Sequence, residues 1–216
     1  MHRRNFIFQS GLLAAFGAGF PTVLGAQSSE GEIANNPIKP IHLESLPALD
    51  HGGNMNIRVW VRNAMTNGLF SSVECAVAPK VMGPPPHSHK ELDELMFVIS
   101  GTASVLVGDE VVQIKAGGWH LRPRQLKHTF WNASDEPLRF YDMYFNQPFE
   151  EYLEKIFFEL NDAHGYPEGS DKKRDAIGKL NDDFGLIFPA DAFSQRDAIK
   201  KEFGLAGLIE DSKRYI

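Results

Sequence analysis

Apolar and polar residues alternate in short runs through the middle of the chain. Ile57 to Arg62 (IRVWVR) carries an apolar side chain at every second position, as a half-buried strand does. Leu69 to Ala78 and Leu95 to Ser100 read as further strands, the second ending at Gly101. Ala103 to Val107 turns at Gly108, Asp109 and Glu110 into Val111 to Ile114, which predicts a hairpin. Trp119 to Arg122, Lys127 to Asn132 and Leu138 to Phe145 complete the set. Short strands joined by Gly and Pro turns, with no helix between them, predict an all-β antiparallel sandwich or barrel over residues 55–146.

The period changes at Pro148. Phe149, Tyr152, Leu153, Ile156, Phe157 and Leu160 recur at helical spacing, with Glu150 and Glu151 in the first turn. Residues 164–175 are polar and read as a loop. Asp191 is placed to cap a second helix, Ala192 to Phe203, ended by Gly204. Residues 147–216 are therefore expected to be a C-terminal α-helical extension. It is read as a lid packed on the outer face of the barrel, with a subunit contact (a homodimer) as the alternative.

The first residues belong to targeting rather than to the fold. Arg3 and Arg4 precede a mostly apolar stretch, Gly11 to Gly25, and Ala26 is a plausible cleavage residue. Arg3-Arg4-Asn5-Phe6-Ile7 looks like the twin-arginine pattern, so residues 1–26 are expected to be an export signal. The folded protein is then periplasmic, with no stable membrane insertion after the signal is removed. Residues 27–54 read as a linker and N-terminal arm. Net charge is −6, and no run of Lys or Arg forms a basic stripe, which argues against nucleic acid as a partner. The single cysteine, Cys75, rules out an internal disulfide and sits in an apolar run, as a buried inert thiol would.

Chemistry concentrates in two stretches. In Pro84 to His89 (PPPHSH), His87 and His89 stand two apart, so on a strand they project to the same side. Glu94 opens an apolar run, where a carboxylate is costly to bury unless paired or bound to a metal. The second stretch holds Gly117, Pro123, His128 and Asn132, and His128 would return from a separate strand. Imidazoles with a carboxylate suit a first-row transition metal, and four such ligands leave open positions for chemistry.

These stretches resemble the two motifs of the cupin superfamily. His87, His89, Glu94 and Gly101 fit the first at the expected spacing, although Val81 stands where the motif has its leading glycine. Gly117, Pro123, His128 and Asn132 fit the second, with Gln125 in place of its middle glycine. The resemblance narrows the fold to a double-stranded jelly-roll barrel and implies that His87, His89, Glu94 and His128 hold one divalent metal. The segment from Pro137 to Leu160 also looks like the tail of quercetin-dioxygenase-like single-domain cupins.

Strand alternation makes Met96 and Val98 inward neighbours of Glu94, and Phe130 an inward neighbour of His128. The pocket is thus largely apolar and suits an aromatic or otherwise apolar small molecule. His120 and Arg122 share one face of their strand. They join the pocket if that face is interior and are solvated if Trp119 packs inward, which is the favoured parity. The function expected is that of a metal-dependent oxidoreductase of dioxygenase type, with Glu94 doubling as a catalytic base. A sugar or keto-acid isomerase, or a non-catalytic periplasmic binding protein, is the alternative. Folding before export favours manganese, iron or nickel, with copper or zinc as competitors by affinity.

Overall fold

The computed structural model describes residues 37–206. Residues 1–26, expected to be an export signal, and the first part of the expected linker lie outside the described residues. Residues 37–54 contain neither helix nor strand. The strands that follow are β1 (Met55–Val61), β2 (Phe70–Val77), β3 (Val81–Met82), β4 (Ser88–His89), β5 (Asp93–Ser100) and β6 (Thr102–Val107). Then come β7 (Glu110–Lys115), β8 (Trp119–Arg122), β9 (His128–Asn132) and β10 (Leu138–Phe145).

All but β4 form two antiparallel sheets, one of order β1-β2-β10-β5-β8 and one of order β3-β9-β6-β7. The side chains that alternate inward fill the space between the sheets. Val73, Val77, Met96, Val98, Val105 and Phe140 are fully buried there. Burying each such side chain contributes about 1.5–3 kcal/mol, so the barrel has an apolar core independent of any ion. This is a jelly-roll barrel with a helical C-terminal region. Gly101 makes the β5–β6 turn possible: its φ is +79°, and a Cβ there would meet the Pro137 carbonyl oxygen at 2.6 Å.

The C-terminal extension comprises α1 (Phe149–Glu154), α2 (Asp171–Asp183), β11 (Leu186–Ile187) and α3 (Ala192–Phe203). α1 runs directly into a π-helical turn, Lys155–Glu159, closed by the Leu160 N–H on the Lys155 carbonyl at 2.9 Å. Phe149, Tyr152, Ile156 and Leu160 are buried, and Leu153 and Phe157 half-buried, so the predicted stripe is the packed one. α3 ends at Gly204, with φ +61°, as its sequence signal indicates; Asp191 stands at its N-cap, but its side chain makes no capping bond.

Two expectations are corrected. Residues 171–175, read as loop, begin α2, whose Ser170 cap accepts from the Lys173 N–H at 3.2 Å. The helix is strongly polar, and its buried set is Lys173, Ile177, Leu180 and Asn181, so it shows little apolar period. The second concerns the lid. α3 does pack on an outer face, that of the four-stranded sheet, where Ile199 and Phe203 meet Met82, Leu106 and Trp131. α1 and β11 instead close the open end of the barrel.

Candidate metal centre

The segment bearing His87 and His89 is held from two directions. His87 and His128 exchange backbone bonds, His87 N–H to the His128 carbonyl at 3.0 Å and the reverse at 2.8 Å. On the other side β11 pairs with β4, Leu186 opposite His89 and Ile187 opposite Ser88. Glu94 enters from β5 with the inward parity of Met96 and Val98. His128 opens β9, whose residues are all buried.

One donor atom from each of His87, His89, Glu94 and His128 lies within 4.8 Å of the others, and all four residues are buried. The two Glu94 oxygens divide between imidazoles: Oε1 is 3.0 Å from His89 Nε2, and Oε2 is 3.2 Å from His128 Nε2. His87 Nδ1 is 2.8 Å from the Pro85 carbonyl and His128 Nδ1 is 2.9 Å from the Leu126 carbonyl. A carbonyl only accepts, so each Nδ1 carries the proton and each Nε2 keeps its lone pair free, the arrangement that orients metal-ligating imidazoles. His89 Nε2 and His128 Nε2 are buried and face the Glu94 oxygens without a hydrogen bond of good geometry. Buried polar atoms left unpaired are costly, and a cation among these donors would satisfy them. The donor set therefore fits a divalent transition metal.

Electrostatics keep His87, His89 and Glu94 deprotonated. Burial, reinforced by His128 and His89, holds His87 well below its ordinary value, and burial lowers His89 as well. Burial also works to raise the Glu94 carboxyl, but Arg122, His128 and His89 outweigh it and hold it well below the usual carboxylate range.

Arg122 corrects the expected parity of its strand. Trp119 and Leu121 are each 57% exposed, whereas Arg122 is 1% exposed and points inward. Cross-strand register explains this: Arg122 stands opposite Glu94, and Trp119 opposite Phe97. Pairing a buried carboxylate outweighs burying one indole, which still packs in a tilted contact on Phe97 at a centroid distance of 4.5 Å. Arg122 Nη2 is 3.1 Å from Glu94 Oε2 and also bonds Asp142. Burial pushes the Asp142 carboxyl up to about 6, despite the opposing pull of Arg122. The Tyr144 hydroxyl lies 3.5 Å from Asp142 Oδ2.

These groups open onto a narrow cavity of about 70 Å³. Of the predicted pocket residues, Phe130 and Arg122 line it, as do His87, Glu94 and His128. Met96, Val98 and His120 are not among its walls. Each step of two residues moves about 6.6 Å along a strand, which takes Met96 and Val98 from the Glu94 end into the sealed core.

The C-terminal extension supplies walls that strand alternation could not name, including Phe149, Tyr152, Leu186 and Phe188. Phe149 meets the His89 ring edge-on at 5.0 Å, and Phe188 lies 5.7 Å from the His87 ring. Asp142 was legible by the rule applied to Glu94, as an acid at an inward position of an apolar strand, and was missed. Asn132 of the second motif is structural. It donates to the Ala78 and Glu136 carbonyls at 3.0 and 2.8 Å and accepts from the Ser134 N–H at 3.0 Å.

One family model agrees with the barrel. Residues 73–144 match the family model described as Cupin domain. No curated protein matches the sequence. Among solved structures, KdgF from Halomonas sp. is 14% identical over 48% of this chain and 88% of its own, with a TM-score of 0.41. A sugar phosphate isomerase of the cupin superfamily from Silicibacter pomeroyi is 19% identical over 43% and 60%, with a TM-score of 0.37. An oxalate oxidase in complex with glycolate is 20% identical over 44% and 53%, also with a TM-score of 0.37. None of these carries a residue role to this chain.

Proposed function

We propose that the protein binds one divalent transition metal through His87, His89, Glu94 and His128. We further propose that it acts as a metal-dependent oxidoreductase of dioxygenase type on a small, apolar, oxygen-bearing molecule, in the manner of quercetin-dioxygenase-like cupins. The observation that carries this reading is the placement of four buried donors at one end of a cavity whose remaining walls are mostly aromatic and aliphatic. A metal held there supplies Lewis acidity and redox chemistry. Phe130, Phe149 and Phe188 orient a flat apolar body and exclude water. Glu94, kept ionised, accepts a proton from a substrate hydroxyl when its oxygen is not engaged.

An isomerase would use the same donors but needs polar groups to grip a polyol. Arg122 is the cation in these walls, and two carboxylates already hold it.

The test is metal analysis of protein from its native compartment, followed by oxygen uptake with a panel of phenolic substrates. About one metal per chain and substrate-dependent uptake are expected. His89→Ala should abolish both while the metal-free forms melt within a few degrees of each other. Full metal content in that variant refutes the ligand set; metal without uptake on any substrate refutes the dioxygenase reading.

A further inference from the structure

The cavity does not end at the donors. Its walls run from Glu94 on β5 to Met55 and Ile57 on β1, three strands away. Register fixes the path. Glu94 stands opposite Tyr144, whereas Ile57 stands opposite Cys75, Cys75 opposite Phe140, and Phe140 opposite Val98. At about 4.8 Å per strand and about 3.3 Å per residue, Ile57 lies roughly 14 Å across the sheet and roughly 13 Å along it from Glu94, measured at the backbone. Inward side chains shorten that path. A volume of about 70 Å³ drawn out in this direction is a slot, not a chamber.

The two ends of the slot differ in chemistry. Beside the donors stand Arg122, Asp142 and Tyr144. At the β1 end the walls are Met55, Ile57, Cys75, Leu153, Ile156 and Phe157. None of these carries a charge: burial holds the Cys75 thiol well above its ordinary value, so it stays neutral. Ile156 and Phe157 belong to the π-helical turn, a rare form that recurs at functional sites. Packed interiors leave few voids larger than a water molecule. An apolar gap kept open between β1 and this turn is therefore part of the site.

We propose that the site takes a slender amphiphile, its oxygen-bearing head at the four donors and one unbranched alkyl tail laid in the slot towards β1. This rests on the metal and substrate reading above and adds the tail to it. A charged or polyhydroxylated tail finds no partner at the β1 end, and a polar group buried without one is costly. A fused-ring or branched tail needs a chamber. An alkyl chain needs only apolar contact, and every methylene it buries adds to affinity.

The experiment is calorimetric titration of the zinc-loaded full chain with n-alkyl hydroxamates, from acetohydroxamate upwards. Kd should fall about fourfold for each added methylene and stop falling once the tail reaches Met55. Ile57→Phe fills the slot from its far wall. Metal content and the Kd for acetohydroxamate should be unchanged in that variant, while the gain stops at a shorter chain. If it does not fold, Cys75→Leu provides the same reading. n-Alcohols titrated into the metal-free chain probe the slot without the donors and should show the same dependence on length. A chain that takes up no zinc overturns the reading above and the placement of the head with it; the alcohol series then tests the tail separately. Affinity independent of chain length in both series overturns the proposal. So does a gain that Ile57→Phe and Cys75→Leu leave stopping at the wild-type length.

Discussion

Replacing Arg122 by methionine removes a buried cation and keeps much of the side-chain volume. The guanidinium lies between Glu94 and Asp142, whose side chains are 6% and 4% exposed. Removing one partner of a buried ion pair costs about 3–5 kcal/mol, because the remaining charge has neither water nor a counter-ion. The two carboxylates respond differently. Asp142 already titrates at about 6; without Arg122 it takes up a proton near neutrality, at about 1.4 kcal/mol per pH unit of further shift. Burial pushes the Glu94 carboxyl up, and Arg122 is the largest influence holding it well below the usual range, so the variant deprives Glu94 of its main counter-ion, which a bound metal would replace.

The metal-free variant should therefore lose roughly 3–5 kcal/mol, which at about 2–4 °C per kcal/mol for a chain of this size is a drop of about 6–20 °C in Tm. The metal-loaded variant keeps a counter-ion for Glu94 and should lose about half as much. The thermodynamic cycle converts a difference of about 2 kcal/mol into metal binding roughly thirtyfold tighter in the variant. Thermal melts with and without chelator, beside a metal titration, measure both sides of the cycle. Equal losses in the two states, or weaker metal binding by the variant, would refute the account of Arg122 as the counter-ion that the metal replaces.

Other expectations rest on separate features. Gln125 holds a left-handed φ of +64° while its N–H bonds the His89 carbonyl at 2.7 Å. That backbone costs a non-glycine residue about 1–2 kcal/mol, so Gln125→Gly should raise the Tm by a few degrees, and a lower Tm would show that the glutamine side chain matters more than its backbone. Asn132→Ala removes the clasp on Ala78, Ser134 and Glu136 and should cost about 2–4 kcal/mol in denaturant melts. Metal content should stay unchanged; loss of metal would give Asn132 a part in the site. Acid should destabilise the metal-free protein. His87 and His89 titrate below 6.5 when folded, so below that pH the unfolded chain takes protons that the folded chain refuses. Asp142, raised to about 6, acts in the opposite direction as pH falls below that value. The net loss is about 1.4 kcal/mol per pH unit between pH 6 and 5, read from chemical unfolding; stability that holds or rises there would contradict it.

Backbone geometry made His87, His89 and Glu94 legible as candidate donors, and the resemblance to the second cupin motif added His128. Side chains two apart on a strand point the same way, and an acid opening an apolar strand needs a partner. The period change at Phe149 likewise marked a packed helix. The inward parity of Arg122 was not legible, since Trp119 has the stronger claim to burial when its strand is read alone; the cross-strand neighbour Glu94 decided otherwise. α2 carries little apolar period because it buries few apolar side chains.

Closure of the cavity was also beyond the sequence. β11 is a two-residue strand that exists only because β4 offers it hydrogen bonds, and Phe188 follows it to the His87 ring across a long stretch of chain. Local pattern determines which side chains share a face. Which distant segments meet depends on non-local pairing and burial, which leave no period in the chain, so the tertiary structure alone determined how the donors are enclosed and what shape of molecule can reach them.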